Sequence, residues 1–302
     1  MDRFYDEDKI AENYLKFRPK YTEEVAEAVM KYLDAHYKEH SQRKHDLMVD
    51  VGCGSGQGTN LFATHFKKIV GVDICGKQIQ CANKQNTHEN ISYLVGKAEE
   101  LPFEDHSVDL VACGTAAHWF NLPKFFQEVL RVLKPSGCLA VFAYGFTEIY
   151  PTGMKNEDKA RATTNIFTEL LHTGLTGHRL QEWVREKPAF GKAEVKIYDD
   201  VFNAIPFPNK QRNDDISMIL TWSLDDFLGF VSSSVMTRAL EKGKEELKNF
   251  FSDVLDKDED NFDLFDIVSR KVKKIWNLED QDQVELKAEM DIYLLLSVVD
   301  KA

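Results

Sequence analysis

Leu47-Met48-Val49-Asp50-Val51-Gly52-Cys53-Gly54-Ser55-Gly56-Gln57-Gly58-Thr59 is the stretch whose reading decides the fold. Apolar residues punctuated by Asp50 read as a short buried strand. The glycines after it read as a turn too tight for side chains, and a helix starts near Thr59. Glycine lets the backbone pass close to a ligand and adopt positive φ at little cost. A strand, a glycine turn and a helix N-terminus together make a nucleotide-binding corner. The phosphate-binding version of that corner wants Gly-x-Gly-x-x-Gly. Here the third position is Gln57 counted from Gly52 and Thr59 counted from Gly54, and no Gly-Lys-Ser/Thr ending follows. The pyrophosphate spacing fails, and a P-loop is out.

Ile69-Val70-Gly71-Val72-Asp73-Ile74 reads as a second strand ending in an acid. It lies roughly twenty residues past the glycines, where an acidic side chain can accept the hydroxyls of a ribose. A ribose acid without a pyrophosphate signature points to a nucleoside cofactor. At these residues the chain resembles the class I S-adenosylmethionine-dependent methyltransferases, whose first motif looks like Asp50-Val51-Gly52-Cys53-Gly54-Ser55-Gly56. The resemblance implies an α/β, Rossmann-like doubly wound sheet, mostly parallel with an antiparallel C-terminal strand, plus a helical cap. It implies S-adenosyl-L-methionine as cofactor, with contacts from Asp50, Gly52, Gly54, Gly56, Asp73, Ile74, Gln78, Thr115 and Ala116. At the adenine position many members carry Asp-Ala, whereas this chain has Lys97-Ala98-Glu99. The acid has moved to Glu99, or the adenine amino group relies on backbone at Ala98 alone.

Before the glycine strand, residues 2 to 40 read as helical with a break at Pro19, since the residue before proline is pushed out of the α region. Thr22-Glu23-Glu24 reads as a helix start, and Val25, Val29 and Leu33 give a helical stripe. Tyr14, Arg18, Pro19 and Tyr21 resemble the N-terminal segment of trans-aconitate methyltransferase-like small-molecule enzymes, where it folds over the cofactor. That likeness assigns Tyr14 and Arg18 to the cofactor and Tyr14 also to the substrate. The bland alternative is a surface helix whose tyrosines merely pack.

Gly76 to Asn86 suits a helix, Ile91 to Gly96 a third strand and Ser107 to Gly114 a fourth, nearly continuous in apolar character as in a central parallel strand. Phe125 to Gly137 reads as an amphipathic helix stopped by Pro135 and Gly137, and Cys138 to Tyr144 as the fifth strand. Leu-Lys-Pro-x-Gly before that strand again resembles the family. Further on, residues 155 to 186 read as helical and Ala193 to Phe202 alternates like a half-buried strand. Residues 213 to 285 read as two or three helices joined by a solvated acidic run from Asp256 to Asp263, and Asp291 to Val299 as a final strand. With no repeat and no low-complexity linker, residues 1–302 read as one methyltransferase unit: a helical lid at 1–40, a cofactor core at 41–150, and C-terminal strands with a helical substrate cap at 151–302.

Composition narrows the function. A net charge of −12 without a lysine- or arginine-rich run disfavours nucleic acid, which needs a basic footprint. The N-terminus is charged and shows no signal peptide, and no run of about eighteen apolar residues calls for a membrane span. Five cysteines, odd in number and lacking Cys-x-x-Cys spacing, fit reduced cytoplasmic thiols and argue against a disulfide framework or zinc site. No feature calls for an obligate protein partner.

Methyl transfer from a sulfonium is an in-line displacement, so the protein mainly aligns donor and acceptor and excludes water. A carboxylate acceptor needs no base, whereas a hydroxyl, phenol or protonated amine does, and histidine suits that task. His118 and Trp119 sit just past the carboxyl end of the fourth strand, where ligands bind in open α/β sheets. His118 is thus the candidate base, with Trp119, Tyr144 and Trp222 as substrate contacts; packing is the competing role for the tryptophans. The expected activity is methyl transfer to a small molecule, with a carboxylic acid leading on resemblance. An N- or hydroxyl methyltransferase, and a cofactor-binding regulator without catalysis, stay open.

Overall fold

The computed structural model describes residues 16–37, 44–174, 190–207, 209–232, 248–254, 264–279 and 283–299. In chain order these form α1 (Glu23–His36), β1 (His45–Val51), α2 (Gln57–Asn60), β2 (Phe66–Asp73), α3 (Gly76–Gln85), β3 (Ile91–Val95) and β4 (Val108–Gly114). There follow α4 (Leu122–Val132), β5 (Leu133–Pro151), α5 (Glu157–Gly174), α6 (Phe190–Ala204), β6 (Asn209–Ser223), α7 (Leu224–Ser232), α8 (Leu264–Trp276) and β7 (Glu285–Val298).

The strands make one sheet in the order β3-β2-β1-β4-β5-β7-β6. β1 to β5 pair in parallel, and β7 runs antiparallel between β5 and β6. Successive side chains of a strand point to opposite faces, and the core divides accordingly. Met48, Ile69, Leu110 and Ala140 belong to the cluster on one face, and Val49, Val70, Val111 and Leu139 to that on the other. The first cluster is covered in part by Val25, Val29 and Leu33 of α1, and the second by Phe125, Phe126 and Val129 of α4. The order reverses between β1 and β4, so the loops leaving their carboxyl ends splay apart and open a crevice.

Three readings of the sequence are corrected. The segment Ala193 to Phe202, expected as a strand, lies inside helix α6. Its buried residues Ile197 and Val201 lie four apart, and Ile205 continues the stripe just past the helix end, a spacing that short-range alternation had masked. Residues 213 to 223, expected as helix, are the latter part of β6. That strand pairs only with β7 and forms the sheet edge, so its polar first half reaches solvent and leaves no apolar signature. The helix expected to run to Pro135 ends at Val132, and Leu133 is already extended. Lys134 precedes proline and cannot stay helical. Thr22 does sit at the start of α1, with its carbonyl accepting from Val25 N at 3.1 Å, but its side chain makes no capping bond.

Candidate active site

The turn after β1 is knitted to β2 by backbone. Gly52 N and Cys53 N both donate to the Val72 carbonyl, at 2.8 and 3.1 Å. The Asp73 carboxylate, at the carboxyl end of β2, closes the same corner. Its Oδ2 accepts from Gly54 N at 2.9 Å and its Oδ1 from Cys75 N at 2.8 Å. Burial pushes its pKa up, opposed by those two amides. Each oxygen keeps a second lone pair, so the carboxylate is oriented without being used up.

Gly52 has φ +73°, and a Cβ there would lie 2.5 Å from Ala116 Cβ. Only glycine lets β1's exit pass this close to β4's exit. Gly56 sits at the start of α2 with its α-carbon against the Tyr93 ring, so its work is in the turn.

Asp50 is 1% exposed at the centre of the corner. Its Oδ2 accepts the Thr59 hydroxyl at 2.6 Å. Its Oδ1 has no partner among the described residues. Burial raises the carboxyl pKa to about 7; the Thr59 hydrogen bond opposes the rise and the nearby Asp73 charge adds to it. A buried carboxylate oxygen with no donor is costly, so this atom is positioned to receive one.

A cavity of about 120 Å³ opens over the corner. Gly52, Gly54, Asp73, Ile74 and Gln78 line one side, and Ala98, Glu99, Thr115, Ala116 and Trp119 the other. Gln78 is 2% exposed, and its Oε1 is a second buried acceptor with no partner among the described residues. Glu99 lines the cavity while its Oε1 accepts from Asn121 N at 2.7 Å, so this acid also tethers the start of α4. Cys75 and Phe120 also line the wall, with Val72, Gly96 and Gly114, and sequence reasoning assigned none of these to the site. Each lies within two residues of a predicted contact, which is the one signal that could have found them.

A second, smaller cavity is lined by Arg18, Tyr21, Asp50, Gln57, Thr115 and Tyr144, and shares Gly52, Gly114 and Thr115 with the first. The Arg18 guanidinium donates to Tyr144 Oη at 3.3 Å and lies 4.9 Å from the Phe230 ring centre. The Tyr21 hydroxyl hydrogen-bonds Thr115 Oγ1, and its ring meets Phe142 edge-on at 4.7 Å. Thr115 has φ +49°, a left-handed conformation unfavourable for a β-branched residue. Its backbone N, donating to the Phe142 carbonyl at 2.7 Å, and its bonded hydroxyl hold it there. Tyr21 and Gln57 are thus site residues that the sequence reading left unassigned.

His118 lines neither cavity. Its Nδ1 lies 2.9 Å from Tyr198 Oη of α6, and its ring is 5.1 Å from Trp119. Trp222 lines neither cavity as well; it is buried and stacked on Phe230 at 5.4 Å. Tyr14 lies outside the described residues. The described cysteines are free thiols, four of them buried. Among the described residues no cluster of potential metal ligands occurs, and no helix is long and apolar enough to cross a membrane.

The fold and the corner define a class: a doubly wound sheet with a cavity at its switch point, closed on one side by a glycine turn and a buried acid. Comparison with known proteins specifies it. Residues 49–141 match a family model described as a methyltransferase domain. A Dictyostelium discoideum protein named as a methyltransferase is 33% identical over 226 residues, covering 74% of each chain. A Saccharomyces cerevisiae protein named as an S-adenosylmethionine-dependent methyltransferase is 27% identical over 201 residues, 62% of this chain and 65% of that one. A solved structure described as a type II methyltransferase from Anaeromyxobacter dehalogenans shares the fold, with a TM-score of 0.57 at 19% identity over 95% of this chain and 100% of that chain. The chain belongs to the class I S-adenosylmethionine-dependent methyltransferases. Its cofactor is S-adenosylmethionine, and the residues of the corner fit that molecule: an oriented carboxylate at Asp73, a turn at Gly52 and Gly54 that lines the larger cavity, and unpartnered buried acceptors at Gln78 on that cavity and at Asp50 on the smaller one that adjoins it.

Proposed function

We propose that the chain methylates a small carboxylic acid on oxygen, holding the cofactor in the larger cavity and the acceptor at the smaller one. In this reading Asp73 accepts the ribose hydroxyls, and Ile74, Gln78, Ala98 and Glu99 enclose the base. Gly52, Gly54, Thr115 and Ala116 let the cofactor's chain pass to the junction with the smaller cavity, where Asp50 Oδ1 accepts its ammonium. The bound cofactor supplies a sulfonium methyl, open to in-line displacement by a nucleophile. Arg18, Tyr21 and Tyr144 orient the acceptor. The lid is assigned to residues 1–40, of which Arg18 lies at the smaller cavity, and the cap to residues 151–302.

The observation that carries the carboxylate reading is Arg18 at the wall of the smaller cavity, backed by Tyr144 and Phe230. A guanidinium pairs with a carboxylate through two parallel hydrogen bonds. The absence of His118 from both cavity walls agrees with it, since a carboxylate is ionised near neutral pH and needs no base. The net charge of −12 speaks against nucleic acid as acceptor, and the free thiols suit a reducing, cytoplasmic setting.

The test is labelled-methyl transfer by the purified full chain onto panels of small acids, amines and phenols. Methyl esters are expected, with Arg18→Ala raising KM for the acid by about tenfold or more, the worth of a charged hydrogen bond. Transfer onto amines or phenols alone would overturn the carboxylate reading in favour of N- or hydroxyl methylation. Cofactor binding without any transfer would favour a regulator.

A further inference from the structure

Helix α7 (Leu224–Ser232) carries a glycine in its interior, Gly229, between two well-buried aromatics, Phe227 and Phe230. An interior helical glycine costs about 0.5–1 kcal/mol relative to alanine, so something must require the missing Cβ. The requirement comes from more than two hundred residues earlier in the chain. A Cβ built at Gly229 would lie 2.5 Å from Cε1 and Cζ of Phe17 and 2.6 Å from its Cδ1. The Phe17 ring therefore lies directly over the glycine, in a notch that any other residue would fill.

The next residue is Arg18. Its guanidinium lies over Phe230, the residue beside Gly229, and donates to Tyr144 Oη across the smaller cavity. Phe230 in turn packs on Phe146 at 5.3 Å and on Trp222 at 5.4 Å, so the surface beneath Arg18 is rigid. Three residues on, Tyr21 is fastened to Thr115 at the junction of the two cavities. The segment from 17 to 21 is thus held at both ends, by an apolar notch and by a hydroxyl pair, with the cation between them.

We propose that Gly229 is a positioning residue for the acceptor site: the notch left by its absent side chain seats Phe17 and thereby sets Arg18 across the smaller cavity. The role assigned to Arg18 rests on the carboxylate reading above; the seating of Phe17 does not. It gives Trp222 and its neighbours a function as the packed floor under the cation instead of as direct acceptor contacts.

The test uses the full chain as Gly229→Ala, Phe17→Ala and the double variant. Arg18 accessibility is read by phenylglyoxal labelling, and segment docking by trypsin cleavage after Lys16 and Lys20, both mapped by mass spectrometry. An added methyl group in a filled site is strongly unfavourable. Gly229→Ala should therefore speed Arg18 labelling and both cleavages by about fivefold or more. In the Phe17→Ala background the same substitution should cost nothing further, because no ring remains to collide with the new methyl. Thermal unfolding of all four proteins checks that each is folded. Unchanged labelling in Gly229→Ala, or an equal effect of that change with and without Phe17, would overturn the proposal. A normal acceptor KM in Arg18→Ala would instead overturn the carboxylate reading and leave the seating result standing.

Discussion

Asp50 gives the sharpest quantitative expectation. In the folded chain its carboxyl titrates at about 7, against an ordinary value of 3.8, because it is wholly buried with one oxygen unpartnered. The folded state therefore binds the proton more tightly than the unfolded chain between those two values. By linkage, this group's contribution to stability is fully present below the unfolded pKa and is lost as pH rises through the folded one. Between about pH 5 and about pH 8.5 the loss amounts to roughly two pKa units, or about 2.7 kcal/mol at 1.36 kcal/mol per unit. Asp50→Asn has no such titration. It pays a constant cost for its amide, and that cost cancels when only the change with pH is compared. The assay is denaturant unfolding of both proteins without cofactor at the two pH values. The wild type should lose about 2–3 kcal/mol more than Asp50→Asn on going to the higher pH. Parallel pH dependences would refute the reasoning and mean that Asp50 is solvated or already paired in solution.

Asp73→Asn should weaken S-adenosylmethionine binding by about a hundredfold in calorimetry, since charged hydrogen bonds to two hydroxyls become neutral or are lost; unchanged affinity would remove Asp73 from the ribose site. Gly52→Ala, with a Cβ 2.5 Å from Ala116 at a φ of +73°, should lower stability by about 1–3 kcal/mol and abolish cofactor binding, read by thermal shift with and without the cofactor. His118→Ala should lower the melting temperature, because its bond to Tyr198 ties the β4 exit to α6, and leave the pH profile of transfer to a carboxylate unchanged. Loss of an acidic limb would restore His118 as the base.

The cofactor corner was legible because every part of it is local. The run from Met48 to Val51, the glycines and the acid ending β2 each specify their own conformation through apolar patterning and the lack of a Cβ. β1 to β4 fall within one to three residues of where periodicity puts them, and most predicted cofactor contacts line one cavity. The C-terminal half read less well. α6 shows its helical stripe only once Ile197 and Val201, with Ile205 just past its end, are known to be buried together. β6 is held by its partner β7 and not by its own polar sequence.

The smaller cavity was decided by tertiary structure. Arg18 meets Tyr144 across 126 positions, Tyr21 meets Thr115 across 94 and His118 meets Tyr198 across 80. No residue spacing within the chain encodes such meetings. They arise because the sheet brings the ends of β4 and β5 and the N-terminal segment to one crevice, where packing selects which side chains touch. The sequence by itself determined the nucleoside corner, since turn chemistry and strand burial act over a few residues. Only the folded chain decided that His118 would turn toward α6 and that Arg18, which family likeness had assigned to the cofactor, would lie beside Tyr144 on the wall of the smaller cavity.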